Sequence, residues 1–212
     1  GVIVAEDEAQ PLQGQLRQVL DLPDAEPLLP QDILELTRWI AQYYFCSWGE
    51  VLKAALPSGN LKFSLTAARK VRVRSSMEAL SAQDEAPLPT PNSDQAAALE
   101  AIAIALRDNE NRTFLLYGVT GSGKTLVYQR AIARALEMGG TALLLIPEIS
   151  LTPQMVGRFR SCFGDQVGLQ HSAMTNAERV DVWRGIRAGK YPIVIGARSA
   201  VFAPLANLKL IV

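Results

Sequence analysis

Apolar positions change their period once along this chain, near residue 92. Before it, Ile33, Leu36, Ile40 and Tyr43/Tyr44 recur at helical spacing with Trp39 beside them, which predicts a helix from Pro30 to about Cys46 whose stripe is core. Residues 47–57 read as a short continuation, closed by the turn cluster Leu56-Pro57-Ser58-Gly59. After Asn92, apolar runs of strand length alternate with amphipathic stretches of helical length. Helices are predicted from Asn92 to Arg107 and from Lys124 to about Met138, where Gly139-Gly140 supplies a stop. Thr152 caps and Pro153 opens a third, running to Phe163. Thr175-Asn176-Ala177-Glu178 is a capping box for a fourth, ending near Gly189. Strands are predicted at Thr113–Tyr117, Thr141–Ile146, Gln166–Gln170, Pro192–Ile195 and Leu208–Val212. Strands alternating with helices imply βαβ units, hence an α/β fold with a mostly parallel sheet flanked by helices.

Between the two patterns lies a stretch of different composition. Lys62 to Arg74 carries five positive charges and no acid, and reads as a solvated strand or linker more than as a phosphate contact. Residues 75–91 are rich in Ser, Ala and Pro and read as a linker. The chain as a whole is 49% hydrophobic and 20% charged, which excludes wholesale disorder. Lys and Arg balance Asp and Glu at 21 each, which excludes nucleic-acid binding by bulk charge but not by a local site. The balance is uneven: residues 1–90 hold 8 basic and 12 acidic side chains, and residues 91–212 hold 13 and 9. The second part is therefore the better partner for phosphate. No apolar run reaches the length of a membrane span and no leader pattern is seen, so a cytoplasmic location is expected. Cys46 and Cys162 lack CxxC spacing and read as reduced packing residues. The strand-like start Gly1-Val2-Ile3-Val4 and the apolar close Leu208–Val212 both read as cuts in a longer protein.

The sharpest chemical signal is Gly118-Val119-Thr120-Gly121-Ser122-Gly123-Lys124-Thr125, which fits G-x-x-x-x-G-K-[ST] at every fixed position. The predicted strand before it and helix after it are the context a phosphate loop requires. Glycines let backbone N–H groups curl around a phosphate, and the helix start adds its positive dipole end. Lys124 is placed to reach the β- and γ-phosphates, and the Thr125 hydroxyl to ligate magnesium. Triphosphate chemistry also needs an acid to hold the metal; Glu148 is one candidate, and a more natural one would follow Val212. Gln95 lies 23 residues before Gly118. Its amide can read the N6/N7 edge of adenine, and it equally completes a capping box with Asn92. The spacing leaves both roles open.

The stretch from Asn92 to Val212 resembles the first RecA-like lobe of the PriA family, the primosomal replication-restart helicases of the second helicase superfamily. The resemblance rests on Gly118–Thr125, on Ile146–Gln154 (IPEISLTPQ), on Gln170-His171-Ser172 with Glu178-Arg179, and on Ile195–Pro204 (IGARSAVFAP). Upstream, Ala41–Pro57 is similar to the end of that family's N-terminal DNA-binding domain. The organisation it implies is a partial N-terminal DNA-binding domain over 1–57, a basic segment and linker over 58–91, and the first helicase lobe over 92–212. The resemblance makes Gln95 the adenine reader and Lys124 and Thr125 the catalytic phosphate and magnesium residues. It places Glu148, Ser150, Thr152, Gln154, Arg198 and Ser199 in blocks that face single-stranded DNA, where such side chains track phosphates without reading sequence. His171, the only histidine, reads as a packed or hydrogen-bonded residue.

The resemblance further implies ATP and Mg2+ as ligands, single-stranded and forked DNA as substrate, and other primosome proteins and single-strand-binding protein as partners, with no membrane role. The family's zinc has no ligands in this chain. Its Asp-Glu-Glu-His motif, its second lobe and its winged-helix domain are not found in these 212 residues, so weak ATP binding and little hydrolysis are expected of the chain alone. Two other readings remain: a phosphotransferase of another kind, which leaves IPEISLTPQ and IGARSAVFAP unexplained, and a non-catalytic DNA-binding remnant that kept the fold.

Overall fold

The computed structural model describes residues 27–57 and 88–212. The chain divides into two compact units, residues 1–71 and 72–212. The expectations for Lys62–Arg74 and most of the linker fall outside the described residues.

In the first unit, α1 (Gln31–Tyr43) packs against α2 (Trp48–Ala55). Ile33, Thr37 and Ala41 of α1 meet Val51, Leu52 and Ala55 of α2 in a shared apolar seam. Thr37 is a polar residue inside it, and it is fully satisfied: its hydroxyl donates to Leu34 O (2.7 Å) and accepts from Trp48 Nε1 (3.0 Å). Of the predicted core stripe only Ile33 is buried, with Trp39, Tyr43 and Tyr44 exposed at the helix end. The predicted helix to Cys46 stops at Tyr43, and a separate helix spans Trp48–Ala55 within residues 47–57. The cause is local. Phe45 takes a left-handed φ of 53°, which lets the Cys46 N–H bond Ala41 O (3.1 Å) in a Schellman stop.

In the second unit, α3 (Ser93–Arg107) packs against α4 (Lys124–Glu137), and α4, α5 (Pro153–Phe163) and α6 (Asn176–Arg187) flank four strands. These are β1 (Thr141–Leu145), β2 (Val167–Gln170), β3 (Ile193–Gly196) and β4 (Leu208–Ile211). All pairings are parallel and the order is β2-β3-β1-β4. Alternate side chains face opposite layers. Ala142, Leu144, Ile193 and Ile195 pack with Ile132 of α4 and Val156, Phe159 and Phe163 of α5. Leu143 and Val194 pack with Ile186 of α6 and with Ala200, Ala203 and Leu205. A parallel sheet covered on both faces explains why its central strands read as unbroken apolar runs.

The caps follow the sequence closely. Asn92/Gln95 and Thr175/Glu178 are capping boxes with both bonds made, and Thr152 Oγ1 accepts the Met155 N–H at 3.2 Å. Gly139 and Gly189 take left-handed φ values of 71° and 74° and close α4 and α6.

One predicted strand is not there. Residues 110–119 run without strand pairing, and Leu115 and Tyr117 are 90% and 94% exposed. Thr113–Tyr117 has the composition of a strand, but a strand exists only through a neighbour's backbone groups. Both sides of β1 are already taken by β3 and β4, and among the described residues β4 pairs only with β1.

Candidate nucleotide site and the loops beside it

β1 runs back along α4 after a tight turn at Gly139-Gly140, so the N-terminus of α4 lies at the edge where the parallel strands end. That edge is where open α/β sheets bind ligands. The loop at residues 118–123 precedes α4 directly. Gly121 and Gly123 take φ values of 84° and 81°, and the Ser122 N–H closes a turn on Val119 O at 3.2 Å. Those left-handed φ values favour glycine at both positions. A Cβ on Gly118 would lie 2.8 Å from Ser122 Oγ, and one on Gly123 would lie 2.5 Å from Gln95 Nε2, so either would displace those side chains. The helix after the loop has no acidic residue in the first turn and no side-chain cap, so its first N–H groups and dipole favour an anion.

Lys124 folds over this loop. Its ammonium donates to Gly118 O (2.6 Å) and Val119 O (2.8 Å), which leaves one of its three donors for a phosphate. Thr125 follows in the first turn of α4, half-buried. Gln95 is brought to the same place from α3. Its Nε2 donates to Ser122 O at 3.1 Å while its Oε1 accepts the Asn92 N–H at 3.0 Å. Of the two roles the spacing left open, the cap is made, and the same amide reaches the phosphate loop. Arg130 of α4 ties down the approach to α3, donating to Leu88 O (3.1 Å) and Pro89 O (2.7 Å). Nothing in the sequence pattern distinguished this arginine.

The remaining candidates sit on the loops after β1 and β3. Glu148 and Ser150 occupy a single 3-10 turn, Thr152 caps α5, and Gln154 is exposed in its first turn. Arg198 and Ser199 are exposed at the start of the 3-10 segment Arg198–Phe202. Gly196, at the end of β3, is required for close approach: a Cβ there would lie 2.6 Å from Gln170 O and from the Ala200 methyl. Glu148 does not turn to the phosphate loop. Its Oε1 accepts the Ser172 N–H at 3.1 Å, and Arg179 Nη2 donates to Ser172 O at 2.8 Å. Hydrogen bonds from Ser172, then the nearby His171 and Arg179 charges, hold the Glu148 carboxyl below the usual range. Glu178 is lowered by the bonds from Thr175, and burial pushes His171 down. Among the described residues no group of three His, Cys, Asp or Glu is placed to hold a metal ion, and no helix is long and apolar enough to cross a membrane. Cys162 Sγ accepts from Gln129 Nε2 at 3.2 Å, and burial raises its thiol pKa.

A parallel sheet between helix layers, with a glycine cradle and a lysine at its carboxyl edge, defines the class as a RecA-like α/β domain. The chain belongs to the DEAD/DEAH box helicase family, which matches residues 92–212. A second family, described as 3'DNA-binding domain (3'BD), matches residues 1–57. The chain is similar to proteins named "Replication restart protein PriA". That of Bacillus subtilis is 49% identical over 126 residues, covering 59% of this chain and 16% of the relative. That of Treponema pallidum is 33% identical over 217 aligned positions, covering 100% and 31%. That of Chlamydia pneumoniae is 33% identical over 262, covering 92% and 35%. The chain therefore spans about a third or less of these relatives' length.

Proposed function

We propose that this chain is the ATP-binding part of a bacterial 3′-to-5′ DNA helicase that restarts stalled replication forks and loads the primosome. Residues 1–57 are read as part of a DNA-binding domain, 58–91 as a basic connector and 92–212 as the first RecA-like lobe. The observation that carries the reading is the junction at Ser122: the phosphate loop, the Lys124 ammonium and the Gln95 amide are bonded into one unit. That unit offers groups for the phosphates and for the base. The loop N–H groups take phosphate oxygens and the free Lys124 donor takes the β- or γ-phosphate. The Thr125 hydroxyl would hold magnesium, and the ion would supply charge neutralisation on the phosphates. Gln95 faces adenine.

Ser150, Thr152, Gln154, Arg198 and Ser199, with Glu148 in the same block, are read as the face for single-stranded DNA. Their side chains suit a phosphate backbone, and they share the edge of the sheet that carries the nucleotide loop. Similarity to the replication restart proteins supports forked DNA as the substrate, primosome proteins and single-strand-binding protein as partners, and the cytoplasm as the location.

The decisive measurement is titration of a fluorescent ATP analogue with Mg2+ into the chain and into Lys124→Ala. Affinity is expected to fall roughly tenfold to a hundredfold, the worth of a charge-assisted hydrogen bond, while melting without nucleotide changes little. Equal affinity in the two proteins would refute the ATP site.

A further inference from the structure

We infer that Glu148 is a positioning residue rather than a DNA contact: with Arg179 it clamps the Ser172 peptide and so holds the loops after β1, β3 and β2 as one DNA-facing surface. The inference rests on the reading of these loops as the single-strand face. Its ground is topological. β1 and β2 are not neighbours, because β3 lies between them. The hydrogen bond from the Ser172 N–H to Glu148 therefore crosses above the end of β3, over a gap of about two strand spacings, or roughly 10 Å.

Beneath that bridge, Gly196 and Ala197 lead into Arg198 and Ser199. Ala197 N–H bonds Gln170 O at 3.3 Å, and Ile146 N–H bonds Gly196 O at 2.9 Å, so the middle loop is pinned to both outer ones. Arg179, in the first turns of α6, takes the other side of the same peptide through Ser172 O. Both backbone polar groups of Ser172 are thus satisfied by side chains from two different elements. That is an expensive use of two charged residues unless the position of this exposed loop matters.

Charge argues the same way. A carboxylate has no donor for a phosphate oxygen and repels it, so Glu148 is the wrong group for a backbone contact. Its two neighbours on the loop, Ser150 and Thr152, are the right ones. The clamp also brings the His171–Thr175 loop into the DNA-facing surface.

The test compares oligo-dT binding by fluorescence anisotropy, and hydrogen exchange of the Ser172 amide, in the wild-type chain and variants. Glu148→Ala is expected to weaken oligo-dT binding about fivefold and to speed exchange at Ser172, the loss of one hydrogen bond to a charged acceptor. Glu148→Gln keeps the acceptor oxygen and is expected to retain both within about twofold. Arg179→Ala weakens binding, and combining it with Glu148→Ala adds little, because either change opens the same clamp. Binding of the fluorescent ATP analogue stays unchanged in all of these, which separates positioning from general unfolding. Equal or tighter oligo-dT binding in Glu148→Ala, or unaltered Ser172 exchange, would overturn the clamp. A wild-type chain that does not bind oligo-dT would instead overturn the DNA-facing reading on which the positioning role depends.

Discussion

Gln95 carries two jobs with one amide. An amide has two acceptor positions and two donors, and the cap and Ser122 use one of each. The assignment fixes which end is oxygen, since only oxygen accepts the Asn92 N–H. What is left over, one acceptor and one donor, complements the N6–H2 and N7 of adenine and mismatches guanine, whose corresponding edge offers two acceptors. The chain is therefore expected to prefer ATP to GTP by about tenfold, one unmatched polar pair. Gln95→Glu keeps the cap but loses both donors, and is expected to abolish that preference in competition titrations. The sequence alone left the cap and the proposed reading of adenine as alternatives, because both call for the same residue at the same place. Thr152 poses a similar problem: its cap is made through Oγ1, and its second role is a separate question.

Helices were legible where a single residue type dictates their ends. Asn92, Thr152 and Thr175 start them, and Gly139 and Gly189 stop them. Phe45 and Asn109 perform the same left-handed stop without glycine; asparagine is the usual substitute there, whereas a phenylalanine gives no warning of it. The strand predicted at Thr113–Tyr117 shows the converse: its residues have strand preferences, yet its backbone pairs with neither edge of the sheet, the open edge of β4 included. The clamp at Ser172 was invisible as well, since its three members come from three elements.

This cluster gives a pH signature. Glu148 and Glu178 have lowered pKa values from their hydrogen bonds, and His171 is lowered by burial, against opposing pulls from Glu178 and Glu148. In each case the unfolded chain binds protons more readily than the folded one. Stability is therefore full above the ordinary values and declines as acid is added, first through the histidine range and then through the carboxylate range. The melting midpoint is expected to drop from neutral pH to about pH 5 in the wild type, and His171→Gln should flatten that first drop. Glu178→Gln should reduce the second.

At the scale of the molecule, alternation of strands and helices announced a parallel sheet, but not its order. Placing β1 between β3 and β4 depends on crossovers that no local pattern encodes. The same topology leaves an open side. β4 keeps one unpaired edge among the described residues, with Leu208 and Ile211 exposed, and the apolar stretch before the phosphate loop has no strand partner. Lys209, on β4, bonds Asn109, so that stretch begins beside the open strand. Exposed apolar edges promote association. Leu115→Lys is expected to reduce aggregate in concentrated samples, measured by light scattering, while leaving the melting midpoint unaltered because the side chain is already in water.

An edge of this kind is also a template. Any extended segment of matching register can add to it, and where the newcomer is another molecule the reaction is second order. Its extent is then set by dilution, not by the intrinsic strength of the fold.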